Sequence, residues 1–138
     1  MKHIGIIGSR KRDSFHDLLW CVRRFFEVYE EGDVIVSGAC PTGGDRFAEV
    51  IAKTYDIPIV LFPPDWKKHG KAAGFIRNAD IAEKSDILIA MVTRDLGRSK
   101  GTMNTVSKVR KMGKTVILDD NEIEDDNEIE EEFDPEYM

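Results

Sequence analysis

The sequence of 138 residues lacks most of the features that assign a chain to a class at once. It has only two cysteines, Cys21 and Cys40, which are too few for a disulfide scaffold and lack metal-ligand spacing, so both are expected to be reduced thiols. No apolar run approaches the ~20 residues of a membrane span. Residues 1–12 begin with an apolar run and end in basic residues, which is the reverse of a secretory signal. These absences predict a cytoplasmic protein that has no membrane contact.

Histidines and common nucleotide-binding signatures are also scarce. His3, His16 and His69 have no partner at ligand spacing, so the sequence predicts neither a metal site nor a Ser-His-Asp or Cys-His arrangement. The glycines are not followed by the Gly-Lys-Ser/Thr of a Walker motif, and they do not form Gly-x-Gly-x-x-Gly. The sequence therefore predicts no cofactor.

Charge is divided unevenly along the chain. Residues 1–118 contain 14 acidic and 20 basic residues, whereas residues 119–138 contain 12 acidic and no basic ones. The acidic tail, residues 119–138, repeats one six-residue sequence and has little apolar surface to bury, so we expect it to be mobile. It either aids solubility or folds back on the basic body and competes with anions. Residues 1–118 are long enough for a single domain, and their basic excess favours an anionic ligand.

The body alternates short apolar runs with amphipathic segments, which predicts alternating strands and helices. The predicted strands are residues 2–8, 33–37, 58–62, 86–92 and 115–118, and the predicted helices are residues 15–31, 44–55, 72–84 and 101–112. Short, fully apolar strands separated by helices indicate an α/β fold, a Rossmann-like doubly wound parallel sheet of about five strands. A strand order of 3-2-1-4-5 would place strands one and four side by side, with a ligand beyond their carboxyl ends.

Polar and glycine residues follow the ends of the predicted strands. They are Gly8-Ser9-Arg10 after the first strand, Gly38 and Gly43-Gly44-Asp45 after the second, Trp66-Lys67-Lys68 after the third, and Ser99-Lys100-Gly101-Thr102 after the fourth. Because the carboxyl ends of parallel strands share one edge, all four segments are expected there. Backbone N–H groups at glycine turns and helix starts, together with Arg10 and Lys100, suit a phosphate or a ribose.

Each of these segments also has a plainer structural explanation. Gly8 could simply let the chain turn from strand to helix, and Thr102 could be a helix cap. Asp45 is either a charge at a helix N-terminus or an acceptor for a ribose hydroxyl or a base. Trp66 could pack against the body, or its ring could cover a base or sugar. The residues alone leave these alternatives open.

Taken in order, the segments resemble a known family. The matching residues are Gly8-Ser9-Arg10, Ser37-Gly38-Ala39, Gly43-Gly44-Asp45, Pro64-Asp65-Trp66, Gly70-Lys71-Ala72-Ala73-Gly74, Arg77-Asn78, Ser85-Asp86 and Ser99-Lys100-Gly101-Thr102. They resemble the YspA/YpsA-related branch of the SLOG superfamily, which is named for the DNA-processing protein DprA/Smf and the Lonely guy proteins. The resemblance covers residues 1–118. It implies a Rossmann-like domain that senses or processes nucleotides or molecules derived from them.

The resemblance also implies an enzymatic alternative. Lonely guy proteins cleave nucleoside monophosphates at the N-glycosidic bond with an Arg and a Glu, and Arg77 falls where that Arg falls. The Glu position is Thr105 here, and Gly97-Arg98-Ser99 replaces the Pro-Gly-Gly before it. Thr105 cannot act as a carboxylate, so Asp45 or Glu49 would have to supply one.

Arg77 has a structural alternative as well, because it could form an ion pair with Asp80 or Asp86. The leading hypothesis is nevertheless a binding domain for a nucleotide or a nucleotide-sugar phosphate. The predicted ligand-binding residues are Gly8, Ser9, Arg10, Gly38, Gly43, Gly44, Asp45, Trp66, Arg77, Ser99, Lys100, Gly101 and Thr102, and the candidate catalytic residues are Arg77, Asp45 and Glu49.

The sequence also supports two expectations about partners and one about the source of the protein. The apolar positions of the first helix cover more than one face, which favours a homodimer. The basic body and acidic tail suggest a nucleic-acid or protein interaction module as a further alternative, which ranks last because a basic groove with interleaved aromatics is absent from the pattern. The short length and the repeat in the tail suit a phage-encoded protein.

Overall fold

The computed structural model describes residues 1–120, apart from the side chains of Leu96 and Arg98. Strands β1 to β5 span His3–Gly8, Val34–Ser37, Ile59–Leu61, Ile87–Met91 and Thr115–Asp119. Helices α1 to α5 span Phe15–Val28, Gly44–Tyr55, Trp66–His69, Ala73–Lys84 and Lys100–Lys111. Short 3₁₀ turns at Gly70–Ala72 and Leu96–Ser99 lead into α4 and α5. None of the helices within residues 1–120 is long and apolar enough to span a membrane.

The strands form one parallel sheet in the order β3-β2-β1-β4-β5, which confirms the predicted order and the Rossmann-like α/β class. β1 pairs with β4 from Ile4 opposite Ile87 to Gly8 opposite Met91. The chain reverses its direction of winding between these two strands. Their carboxyl ends therefore flank the crevice in which doubly wound sheets bind ligands.

Neighbouring side chains of β1 enter separate apolar clusters on the two faces of the sheet. Ile6 packs in one cluster with Phe25 of α1 and Phe47 of α2. Ile7 packs in the other with Ile81 of α4 and with residues of α5. Burial of each large apolar side chain of this kind stabilises the folded state by about 1.5–3 kcal/mol. Because helices cover both faces, the central residues of the strands are apolar and the strand ends are held in fixed positions.

The first helix is shorter and less deeply buried than its pattern predicts. It ends at Val28 instead of near residue 31. Phe15 and Phe26, which the helical spacing places inward, are exposed. Cys21 and Phe25 form the buried side of the helix. The core therefore contacts one edge of the predicted row of apolar residues and not its centre.

The last strand runs one residue further than predicted, through Asp119, which the sequence assigns to the acidic tail. Asp119 is buried because its carboxylate accepts a hydrogen bond from Nη2 of Arg12 at 2.7 Å. Arg12 is itself only 2% exposed, and it also donates to Asp17 at 2.9 Å and to the carbonyl of Val92 at 2.7 Å. Burial alone would lower the pKa of Arg12, but the bonds to Asp119 and Asp17 raise it above its ordinary value. Residues 121–138 lie outside the described residues, so the mobility expected for the tail stays a prediction.

Candidate functional site

A cavity of about 440 Å³ opens beyond the carboxyl ends of β1 and β4. Its walls come from the loop after β1, the loop between β2 and α2, the middle of α4 and the start of α5. The predicted ligand-binding residues in its lining are Gly8, Ser9, Arg10, Asp45, Arg77, Ser99, Gly101 and Thr102. The volume lies in the usual range for small-molecule sites, about 300–1,000 Å³. The edge predicted from the sequence is therefore the edge that carries the cavity.

The loop after β1 forms a tight turn that presents two cations at the cavity. The N–H of Ser9 donates to the carbonyl of Met91 at 2.9 Å, which continues the pairing of β1 with β4 for one more residue. The carbonyl of Ser9 accepts from the N–H of Arg12 at 2.9 Å and closes the turn. Arg10 and Lys11 lie at the top of this turn, where both are exposed and both line the cavity.

Gly43 and Gly44 shape the cavity without lining it, which differs from the ligand cradle predicted for them. Gly43 has a φ of 73°, and its N–H donates to Oδ1 of Asp13 at 2.8 Å. A Cβ atom on Gly44 would overlap the backbone of Ile7 and Gly8. These glycines let the start of α2 lie directly against the end of β1. The N–H of Gly43 therefore donates to the side chain of Asp13 and not to a ligand.

Asp45 and Arg77 form a polar pair in the cavity wall. Nη1 of Arg77 lies 4.0 Å from Oδ2 of Asp45 and donates to the carbonyl of Gly38 at 2.6 Å. Oδ2 of Asp45 also accepts from the N–H of Cys40 at 3.0 Å. Burial raises the pKa of Asp45 above its ordinary value, while the backbone hydrogen bonds and the charge of Arg77 act in the opposite direction. The carboxylate is thus held in place from the loop after β2.

Other residues predicted to act with this pair lie outside the lining. Glu49 is exposed on α2 and does not line the cavity. Gly38 accepts from Arg77, and a Cβ atom there would lie 2.5 Å from Nη1, so the missing side chain makes room for the guanidinium. Arg77 bonds to Gly38 and faces Asp45, and its Nε donates to Oδ1 of Asn78 at 3.1 Å. Within residues 1–120, its partners do not include Asp80 or Asp86, the ion-pair partners that the sequence allowed.

The first turn of α5 faces the cavity with its backbone N–H groups free of a side-chain cap. Ser99 precedes the helix, but its hydroxyl accepts from the N–H of Thr93 at 2.9 Å and so holds the preceding loop together. Gly101 and Thr102 line the cavity, whereas Lys100 is exposed beside them and lies outside the lining. No acidic residue occurs in this described turn, so its partial positive charge is not compensated.

Asn78 and Thr105 add polar groups to the wall between α4 and α5. Nδ2 of Asn78 donates to the carbonyl of Gly101 at 3.3 Å and to Oδ1 of Asn104 at 3.4 Å. The hydroxyl of Thr105 donates to the same carbonyl of Gly101 at 3.3 Å. The resemblance drawn from the sequence predicts that Thr105 takes the place of the Glu of Lonely guy proteins, and this wall carries the hydroxyl of Thr105 at that point.

Trp66 lies outside the cavity lining, in the short helix α3. Asp65 caps this helix by accepting from the N–H of Lys68 at 3.0 Å. The indole is 56% exposed and lies over Gly74, where an added Cβ atom would be 3.8 Å from the ring. Gly74 is one helical turn before Arg77 on α4, so the ring lies over the turn of α4 that precedes a lining residue.

Several lining residues were not singled out by the sequence: Ile7, Lys11, Cys40 and Ile81. Lys11 had a signal, because it directly follows Arg10 in a basic run. Cys40 had none, because its position depends on Ala39, which has a φ of 62° and redirects the loop toward Asp45. Such a backbone conformation at a residue other than glycine is not readable from sequence pattern.

The charged residues of the cavity differ in exposure. Arg10 and Lys11 are exposed on one wall, and Asp45 and Arg77 are largely buried on another. Among the described lining residues, Asp45 alone carries a carboxylate. Within residues 1–120, no group of three or more His, Cys, Asp or Glu side chains is arranged to hold a metal ion.

Known proteins similar to this chain point to one family. The YspA, cpYpsA-related SLOG family matches residues 6–69, which run from β1 through the loops after β2 and β3. The Gene 61 protein of Mycobacterium phage D29 is 33% identical over 92 residues, which cover 62% of this chain and 70% of that protein. No solved structure gives a significant match. These similarities confirm the resemblance drawn from the sequence motifs, and the chain belongs to the YspA, cpYpsA-related SLOG family.

Proposed function

We propose that the cavity binds a nucleotide or a phosphorylated molecule derived from one. The observation that carries this proposal is the meeting, in one cavity, of two exposed cations with an uncapped helix N-terminus and a buried carboxylate. Family membership supports the same class of ligand. Because a phosphate needs donors and a ribose needs an acceptor, the walls of the cavity complement both halves of a nucleotide.

The phosphate end of the ligand is assigned to the wall formed by the loop after β1 and the start of α5. Arg10 and Lys11 supply positive charge there, and Gly101 and Thr102 in the uncapped first turn of α5 line the same space. Oriented N–H dipoles and a forked guanidinium together favour an oxyanion. Lys100, which is exposed beside Gly101, adds a third cation at the opening.

The ribose end is assigned to the wall that carries Asp45 and Asn78. Asp45 has one carboxylate oxygen directed to Cys40 and accepts hydroxyl protons through its remaining lone pairs. Arg77 is fixed by Gly38 and keeps that carboxylate in place. A ligand longer than the cavity would reach the ring of Trp66.

The test is calorimetric titration of the full chain with a panel of nucleoside phosphates and nucleotide sugars at low salt. At least one phosphorylated compound should bind, and Arg10→Ala with Lys11→Ala should weaken its binding about tenfold or more. Lys53→Ala with Lys84→Ala, at the far ends of α2 and α4, removes the same charge as the matched control and should leave binding unchanged. The proposal fails when the protein stays folded and no phosphorylated compound binds.

One observation favours an enzymatic version of this site. The carboxylate of Asp45 lines the cavity beside Arg77, and its burial raises its pKa. A carboxylate in that position can take a proton from water as the water adds to C1′ of a ribose and the C1′–N bond breaks. The departing base then takes up that proton, which leaves the free base, ribose 5-phosphate and the carboxylate. Thr105 cannot provide this group at the position used by Lonely guy proteins.

Chromatography of the products decides between binding and cleavage. Release of free base from a nucleoside monophosphate by the native chain, and its loss in Asp45→Asn, would establish the enzymatic version. Glu49→Gln is the matched control, because Glu49 is an exposed carboxylate outside the lining. Intact monophosphates after long incubation would contradict cleavage and leave binding as the function.

A further inference from the structure

We propose that the C-terminal segment, residues 121–138, docks on a basic rim beside the cavity and competes there with anionic ligands. The basic rim consists of Arg10, Lys11 and Lys100. The described chain ends at the same edge of the sheet as this rim, and the segment and the rim carry opposite charges. The competition also rests on the proposed function of the cavity.

The described chain ends next to the basic rim. All five strands are parallel, so β5 ends at the same edge of the sheet as β1 and β4. Only β4 separates β5 from β1, which places their ends about 10 Å apart. The bond of Asp119 to Arg12 holds the end of β5 against the loop that carries Arg10 and Lys11.

Charge and length both suit docking at this position. Residues 121–138 contain ten acidic and no basic residues, and the side chains of Arg10, Lys11 and Lys100 are exposed. A chain of 18 residues can extend to about 60 Å, so a distance of two strands does not limit it. Single exposed ion pairs are weak, but a tethered partner acts at an effective concentration of about millimolar. Several such pairs together are enough to bias the rim toward the segment.

A second basic region offers the alternative location. Lys67 and Lys68 are exposed on α3, beside Trp66 and beyond the end of β3. β3 lies at the far edge of the sheet from β5, with three strands between them. The basic rim is favoured because it is close to the point where the segment begins.

Docking is tested with a nitroxide spin label on the segment. The full chain carries Asn127→Cys for the label and Cys40→Ser to remove the accessible thiol, while Cys21 is buried and stays. At low salt, the amide signals of residues 8–11 and 100–102 should broaden more than those of residues 53–56 at the opposite edge. At about 1 M salt the broadening should fade, because the Debye length is then only about 3 Å.

Matched charge reversals separate docking from a general attraction. Arg10→Glu with Lys11→Glu should abolish the local broadening. Lys53→Glu with Lys84→Glu makes the same change in net charge at exposed positions at the other ends of α2 and α4, and it should leave the broadening in place. Broadening that is absent at low salt, equal at both edges, or strongest beside Lys67 would overturn the docking proposal.

Competition is measured with inorganic phosphate as the probe. A chain that ends at residue 120 should bind phosphate about fivefold more tightly than the full chain at low salt, and this difference should vanish at high salt. A scrambled segment of the same composition should compete like the native one. Equal phosphate affinity of both chains would overturn competition. Phosphate binding by neither chain would contradict the proposed function and the competition together, while the spin-label result still decides docking.

Discussion

At the scale of single residues, the two thiols of the chain occupy opposite environments. Cys21 is fully buried on the inner face of α1, and burial raises its pKa to about 12. Cys40 is partly accessible in the loop after β2, where it lines the cavity. Because the thiolate is the reactive form, the two sulfurs should differ greatly in reactivity.

We therefore expect the native protein to react with one equivalent of a neutral thiol reagent at about pH 8. Peptide mass spectrometry should place the label on Cys40. The Cys40→Ser variant should react only after unfolding. A ligand that fills the cavity should slow the labelling. Modification of Cys21 at a similar rate in the native state would contradict the assignment.

Gly44 is expected to be intolerant of any side chain. Its Cα faces the backbone of Ile7 and Gly8, which cannot move without shifting β1. Gly44→Ala should therefore lower the free energy of unfolding by about 2–3 kcal/mol. Gly101→Ala is the control, because a Cβ atom there meets nothing within 4 Å, and it should change stability by less than about 1 kcal/mol. Denaturant titrations that give equal midpoints for both variants would contradict this packing.

The sequence located residues of the cavity where chain order and strand ends determine position. Arg10, Asp45 and Thr102 follow predicted strands or begin predicted helices, so a parallel sheet brings them to one edge. It did not show that Gly43 donates to Asp13, because this contact joins two loops whose conformations are not encoded in a periodic pattern. For the same reason, the sequence did not predict the directions in which the side chains at the start of α2 point.

At the scale of elements, a buried carboxylate joins the first two strands at the amino edge of the sheet. Asp33 accepts from the N–H of Lys2 at 2.7 Å and from the N–H of Glu30 at 2.9 Å, and it lies 2.8 Å from Nζ of Lys2. Burial opposes ionisation, but the side-chain and backbone bonds from Lys2 and the N–H of Glu30 lower the pKa of Asp33 to about 2. The ionised form therefore stabilises this junction.

The pH dependence of stability should report this carboxylate. A lowered pKa in the folded state means that the contribution is complete above the ordinary value of 3.8 and is lost as the pH falls toward about 2. The native chain should therefore lose more stability than Asp33→Asn between about pH 4 and pH 2, by roughly 1 kcal/mol. Urea midpoints across this range measure the difference. Asp56→Asn, an exposed change, should follow the native curve, and a native curve parallel to that of Asp33→Asn would contradict the argument.

The order and type of the elements could be predicted because apolar residues recur with clearly different periods in strands and in helices. The predicted span of α2, residues 44–55, agrees with the structure, and the strand order agrees with an order that is common in doubly wound folds. The short helix α3 was missed because four residues are too few to show a helical period. The end of α1 was misplaced because residues near 30 enter the hydrogen bonds of Asp33 instead of continuing the helix.

At the scale of the whole molecule, the apolar clusters and the sheet lie within the described residues, and the last tertiary contact of the sheet is made by Asp119. In doubly wound sheets, ligands bind where the chain reverses its direction of winding. Because this rule depends on connectivity alone, it also predicted the position of the cavity. The homodimer remains a prediction, and the exposed Phe15 and Phe26 of α1 are where it would be sought first.

Two truncations that differ by two residues should behave differently. Removal of residues 121–138 should leave the thermal midpoint nearly unchanged, because the described core stays complete. Removal of residues 119–138 should lower the free energy of unfolding by about 3 kcal/mol, since Arg12 loses Asp119 while remaining buried. Calorimetry of both chains measures this difference. Equal stability of the two truncations would contradict a structural role for Asp119.

The direction in which β1 and β5 run has a practical consequence for handling the protein. The first strand starts at the edge opposite the cavity, and Met1 is 85% exposed there. The final strand delivers the chain to the cavity mouth. Affinity handles, fluorophores or surface anchors placed before Met1 therefore leave the opening accessible, whereas a fusion joined just after Asp120 would stand in front of it.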